Sequence, residues 1–209
     1  MTTAKPRTWL AAALLLACSG SADAHIVAAR LGDFYTGALH PLTDLQDIVL
    51  WLGLGMLAGS VGRALARWLV VVMPLGLLAG LGLKLGLGLG DVGTIASAAM
   101  MVIVGLLLAA GLRLNAAALG TLAFGLAAMR GAANAGGIGA ETNRVLFAAG
   151  LATAGYAAIT LIMAATVAFR RPYAGPVGGW RSVAVRVCGS WIAALGLMIG
   201  GFALKSVAS

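Results

Sequence analysis

The chain has 209 residues, of which 61% are hydrophobic and only 10% charged; its net charge is +8 and its mean hydropathy +1.02. Soluble domains average about 45–50% apolar and about 25% charged residues, so most of this chain needs lipid as its solvent. Its basic residues stand singly or in small groups between apolar runs. That pattern excludes the basic, aromatic-interleaved stripe of a nucleic-acid binder and assigns the charge to membrane topology.

At the N-terminus, Lys5 and Arg7 precede a short apolar run from Trp9 to Ala17, and small residues ending in Ala22-Asp23-Ala24 follow. This order of basic, apolar and A-x-A segments is that of an export signal, with residues 1–24 removed and His25 the first mature residue. Leu15-Leu16-Ala17-Cys18 also fits a lipoprotein box, which would instead put a lipidated Cys18 at the mature N-terminus. The other cysteine is Cys188; without a CxxC pair no disulfide framework is expected, and Cys188 reads as a small packing residue.

Residues 25–209 read as one all-α domain, a polytopic membrane bundle of about six transmembrane helices. The spans fall at about 42–62, 69–89, 92–112, 115–131, 145–169 and 184–204. The runs are too long and too continuously apolar for the alternation of a membrane barrel. Residues 81–90 alternate leucine with glycine and lysine, yet continue the second span. Gly55/Gly59, Gly76/Gly80 and Gly196/Gly200 are spaced four apart on one helix face, where small residues let helices approach closely in lipid. The Gly-rich stretch 131–139 is expected to be a loop or a broken helix. The Pro- and Gly-containing segment 170–183 is the longest inner connection, and Trp51, Trp68, Tyr173 and Trp180 are expected at membrane interfaces.

An exported N-terminus places residues 25–41 outside. The inner connections then hold Arg63, Arg67, Arg113, Arg170, Arg171, Arg181 and Arg186, and the outer segments hold Arg30, Lys84, Arg130, Arg144 and Lys205. The bias has the sign of the positive-inside rule. The expected location is a bacterial inner membrane, multi-pass, with the N-terminus periplasmic. The bilayer is the first partner, and the small-residue faces leave open a homo-oligomer or a place in a larger membrane complex.

Polar residues are scarce, so their placement carries information. The histidines are His25 and His40, both in the first external segment. His40-Pro41 is expected to open the first helix, since proline suits the first helical turn. His40, Asp44 and Asp47 then follow at spacings of four and three, on one helix face. An imidazole and two carboxylates so placed, with His25 added, form a candidate site for a divalent cation. The alternative is simple capping, because the helix dipole favours acidic residues in a first turn. Asp47 is the most telling of these residues, since a carboxylate entering a membrane span is costly. A second polar cluster, Arg130, Asn134 and Glu141, closes the fourth span and reads either as a half-helix ion site or as a solvated loop. No catalytic triad, HExxH or phosphate-binding loop is present, so the sequence gives no enzyme reading and calls for no resident cofactor.

At these residues the chain resembles the hydrogenase/urease accessory membrane proteins, HupE/UreJ. The segment His40-Pro41-Leu42-Thr43-Asp44-Leu45-Gln46-Asp47 is similar to that family's HPLxGxDH pattern. Tyr-Thr-Gly-Ala-Leu before it resembles the GFxxGFxHP lead-in, and the layout matches over nearly the whole mature chain. The resemblance implies a permease-like handling of a divalent metal, nickel or sometimes cobalt, for metalloenzyme assembly. Asp44 stands where the family has glycine, Gln46 where it has aspartate and Asp47 where it has the second histidine. Arg130-Gly131-Ala132-Ala133-Asn134 corresponds to a fourth-helix HGxAH-type motif with both histidines absent. The resemblance therefore implies an outer entry site of His40 and Asp47, helped by His25 and Asp44. Alternatively, it implies a non-transporting membrane subunit or scaffold.

Overall fold

A computed structural model describes residues 32–62, 67–88, 92–170 and 179–208. Over these residues the chain is all-helical, with no strand. The helices are α1 (Asp33–Thr43), α2 (Leu45–Val61), α3 (Leu69–Leu87), α4 (Thr94–Ala110), α5 (Ala116–Asn134), α6 (Arg144–Arg170) and α7 (Trp180–Ala208), with a 3-10 turn at Ala135–Gly137. The export signal, His25 and Cys18 lie outside the described residues.

The central pair is α2 and α6. Helices α4 and α7 pack to one side of it, α3 and α5 to the other, and α1 lies on α6. The core runs along the middle of this arrangement through Leu50, Leu54, Leu57, Met73, Leu77, Val104, Phe147, Leu151 and Ile159, all buried. The outward faces are as apolar as the core: Leu75, Leu106, Leu161, Trp191, Leu197 and Phe202 are exposed. In α7 only 22% of the apolar window is buried within the chain. A helix that is hydrophobic all round belongs in lipid, and these helices fit a multi-pass membrane protein.

Four helices, α3, α5 with its 3-10 extension, α6 and α7, are long and apolar enough to cross a bilayer. Counting α1 and α2 as one broken span gives up to five. The expected count of about six therefore reduces in two places, each for a local reason. Helix α4 has 17 residues, about 25 Å at 1.5 Å per residue, against a hydrocarbon core of about 30 Å. It is short because Gly93 and Gly111 bound it. Gly111, at φ 68°, takes the left-handed conformation that ends a helix, and its N–H bonds back to the carbonyls of Leu107 and Leu108.

The first expected span is not continuous either. The chain bends by 79° between α1 and α2. Pro41 does not open the first helix; it sits near the end of α1, where it lacks the N–H that would continue the ladder. Thr43 Oγ1 donates to the His40 carbonyl at 2.8 Å, closing α1. Asp44 then adopts an extended conformation and caps α2, its Oδ1 accepting from the Gln46 N–H at 2.8 Å. His40 and Asp47 therefore stand on different helix axes, not on one helix face.

The glycine pairs mark helix contacts, as their spacing suggested. A methyl group built on Gly80 or Gly131 would overlap the backbone of Ala128 or Leu77 across the α3–α5 contact, and one on Gly59 would meet Thr166 and Met163 of α6. Gly196 and Gly200 face Ala98 of α4. Gly131 lies inside α5, which continues to Asn134 and passes into the 3-10 turn at Ala135–Gly137, so of the loop and the broken helix expected at 131–139 the structure has the broken helix. Gly80→Leu should force α3 from α5 and cost at least about 1–3 kcal/mol. Gly82→Leu, at a position where nothing lies within 4 Å of an added methyl, is the matched control. Thermal unfolding in detergent would check the contrast, and equal midpoints for the two variants would contradict it.

Trp68 and Trp180 are exposed at the starts of α3 and α7, whereas Trp51, expected at an interface, is buried in the core with 2% exposure. Tyr173 lies outside the described residues.

Candidate functional site

The break at Asp44 brings the two polar segments singled out in the sequence into one site. Asp44 is the cap of α2 and Asp47 lies in that helix's first turn, pointing towards the middle of the bundle with 0% exposure. Arg130 and Asn134 lie one turn apart near the end of α5, each 3% exposed.

Arg130 is the hub. Its Nε donates to Asp47 Oδ1 at 2.6 Å and its Nη2 donates to Asp47 Oδ2 at 2.9 Å, the two-pronged geometry in which guanidinium and carboxylate match best. Nη2 also donates to Asp44 Oδ2 at 2.5 Å. Nη1 donates to Ser97 Oγ of α4 at 3.1 Å and, at 3.5 Å, reaches Gln46 Oε1. Asn134 Nδ2 donates to Asp47 Oδ2 at 2.8 Å and to the Arg130 carbonyl at 2.8 Å. Both Asp47 oxygens and all three guanidinium nitrogens of Arg130 are thus engaged. A buried charge left without such partners would carry a desolvation cost of several kcal/mol.

Asp44 fills both roles left open by the sequence. One of its oxygens caps α2 and the other holds Arg130. Its side chain is 40% exposed, so the network is dry around Asp47 and wet at Asp44.

His40 is not in this network. It is half-buried in the last turn of α1, its ring packed edge-on to Phe147 with centroids 6.0 Å apart. The other side of the ring lies against Gly137, where any β-carbon would overlap it. Glu141 is exposed in the connection before α6, away from the network. Arg130, expected in an outer connection, is instead part of the core. Among the described residues, no group of three or more His, Cys, Asp or Glu side chains is placed to hold a metal ion.

Sequence reading did not single out Ser97 as part of this site. Its signal was available: it is a hydroxyl in an otherwise almost wholly apolar helix, 3% exposed, and polar groups inside spans usually face a partner.

The residues that depart from the family pattern are thereby explained as a set. Asp47, Arg130 and Asn134 occupy the three places where the resemblance sets histidines, and these three side chains touch one another. Here a carboxylate and a guanidinium neutralise each other.

Comparisons with known proteins give the family of the chain. No curated protein and no solved structure matches the chain. The family model described as HupE / UreJ protein matches residues 12–199, nearly the whole length, and the chain belongs to that family.

Proposed function

We propose that this chain is a non-transporting membrane component of the accessory machinery that HupE/UreJ proteins serve, with its central polar site closed by its own cation. The supporting observation is Arg130, buried and bound by both Asp44 and Asp47. A guanidinium held by two carboxylates occupies the place a divalent cation would need. Expelling it would strand a positive charge in a span, at a cost of a few kcal/mol. The role left for the chain is a helical subunit or scaffold in an inner-membrane assembly for metalloenzyme maturation, its N-terminus periplasmic.

One observation favours a second reading, in which the chain still moves nickel or cobalt. The Asp44 carboxylate is 40% exposed, so the network has a wet edge from which a cation can compete for the carboxylates. On that reading Asp44 and Asp47 are the ligands that replace the family's imidazoles, and His40 and His25 assist at the entrance.

Radioactive nickel and cobalt uptake, in cells expressing the chain and in cells carrying an empty vector, distinguishes the two. The subunit reading expects equal uptake, together with a stoichiometric membrane partner on purification. Uptake above the vector control that falls in Asp47→Asn would overturn it in favour of transport.

A further inference from the structure

The end of the bundle opposite Asp44 carries a second charged feature of the reverse sign. Helix α2 runs about 20 Å from the Asp47 turn to Ser60, taken at 1.5 Å per residue. Where it ends there is a cavity of about 210 Å³ between the ends of α2, α4, α6 and α7 and the short connection into α5. Arg113, Arg170 and Arg186 line it, together with Ser60, Ser182 and Gly111.

Among the described residues no carboxylate lines this cavity, and the sequence explains why. The acidic residues of the chain are Asp23, Asp33, Asp44, Asp47, Asp91 and Glu141. Of these, Asp33, Asp44 and Asp47 precede α2, cap it or sit in its first turn, and Glu141 falls in the connection between α5 and α6, at the other end of the bundle; Asp23 and Asp91 lie outside the described residues. Among the described residues, Arg170 and Arg186 are therefore positioned by neutral groups alone. Arg170 Nη1 donates to the Ser60 carbonyl at 2.7 Å and its Nη2 to Ser182 Oγ at 3.2 Å. Arg186 Nε donates to the Ala109 carbonyl at 2.7 Å, and its stem lies against Gly111, 3.4 Å from where a β-carbon would be. These bonds satisfy carbonyls at the ends of α2 and α4, a common use of arginine at helix C-termini. Among the described residues they leave the Nη groups of Arg186 without a hydrogen-bond partner, and they cancel none of the charge. Arg113, in the connection into α5, is exposed.

Three guanidinium groups with no carboxylate beside them among the described residues, and the Ser182 hydroxyl, around one cavity at the end of a membrane bundle form a receptor for a tetrahedral oxyanion. We infer that this cavity binds a phosphate group, either the phosphodiester of an anionic phospholipid headgroup or free inorganic phosphate. Basic pockets between spanning helices take lipid headgroups in this manner. Ser182, whose oxygen accepts from Arg170, keeps its hydroxyl proton as a neutral donor, whereas Ser60 Oγ donates to the Met56 carbonyl; Arg170 ties α2 to α7 across the site, so an occupied cavity also clamps the ends of four helices together.

The test uses the full chain, purified in a neutral detergent and stripped of lipid. It is titrated with phosphatidylglycerol, with phosphatidylcholine, and with sodium phosphate against sodium chloride at equal ionic strength; bound lipid is read by native mass spectrometry and stability by thermal unfolding. Phosphatidylglycerol should bind and raise the unfolding midpoint while phosphatidylcholine should not. Because Arg170 also holds the Ser60 carbonyl, the informative variants are Arg113→Gln and Arg186→Gln, singly and together, with circular dichroism as the check of folding. Each should weaken binding about tenfold, the effect of losing roughly one charge-assisted hydrogen bond. Inorganic phosphate that stabilises the chain and displaces the lipid identifies the free ion as sufficient; phosphate without effect, beside a bound lipid, identifies the headgroup. If neither probe binds, or if the double variant binds phosphatidylglycerol as the native chain does, the assignment is wrong.

Discussion

Arg130→Met should lower the unfolding midpoint of the purified chain by roughly 6–20 °C, the largest stability effect expected of any single polar substitution in the molecule. The variant removes the partner of Asp47, which is 0% exposed and would then keep only the Asn134 amide. Breaking a buried ion pair from one side typically costs about 3–5 kcal/mol, and a domain of this size loses about 2–4 °C per kcal/mol. Asp47→Asn should cost less, because Arg130 keeps Asp44 and the asparagine carbonyl still accepts from Asn134. The double variant Asp47→Asn with Arg130→Met removes both buried charges, and should recover most of the loss, since replacing a buried pair by uncharged groups is often close to neutral. A thermal-unfolding double-mutant cycle reads the coupling directly. Arg130→Met with an unchanged midpoint, or a double variant no better than Arg130→Met alone, would show that the pair is not the interaction described above.

Much of the fold was legible because hydropathy in lipid is a strong signal. The expected span at 145–169 lies within α6, at Arg144–Arg170, and that at 69–89 coincides with α3 to within two residues. The glycine spacings gave real contacts because, in lipid, only close packing and polar bonds hold helices together. The failures are equally physical. Pro41 suits a first helical turn, but the same ring also ends a helix. Which applied depended on Asp44 capping a new helix behind it, and that in turn depended on Arg130 drawing Asp44 inward from a segment 86 residues away. Periodicity along one stretch of chain carries no trace of such a partner. The site residues Asp47, Arg130 and Asn134 were each noticed, but as two clusters. The expected end of the fourth span at 131 left Arg130 in the last turn of that span and Asn134 beyond it, and the helical continuation to Asn134 is what turns both residues into the bundle. Opposite charges on two spans, with few other charges to pair with, were the available hint that they meet.

The second large effect expected is a gain of function. Restoring the imidazoles, with Asp47→His, Arg130→His and Asn134→His combined, should convert the chain from one with no tight divalent-cation binding to one that binds nickel or cobalt at least ~100-fold more tightly. The substitutions remove a fixed cation and supply three neutral nitrogen donors at positions whose present side chains already touch. Asp44, at the wet edge of the site, stays as an oxygen donor and gives the bound cation a counter-charge. The converted site is also less costly to bury when empty than a lone aspartate, since neutral imidazoles carry no charge into the span. Equilibrium dialysis followed by metal analysis of the purified native chain and triple variant makes the comparison, and Arg130→His alone provides the intermediate. In that single variant Asp47 remains, so binding should strengthen by a smaller factor, and the increment from one step to the next should depend on the loss of the guanidinium. Native protein that already binds nickel as tightly as the triple variant would mean that Arg130 does not close the site, and the transport reading would then be the better one.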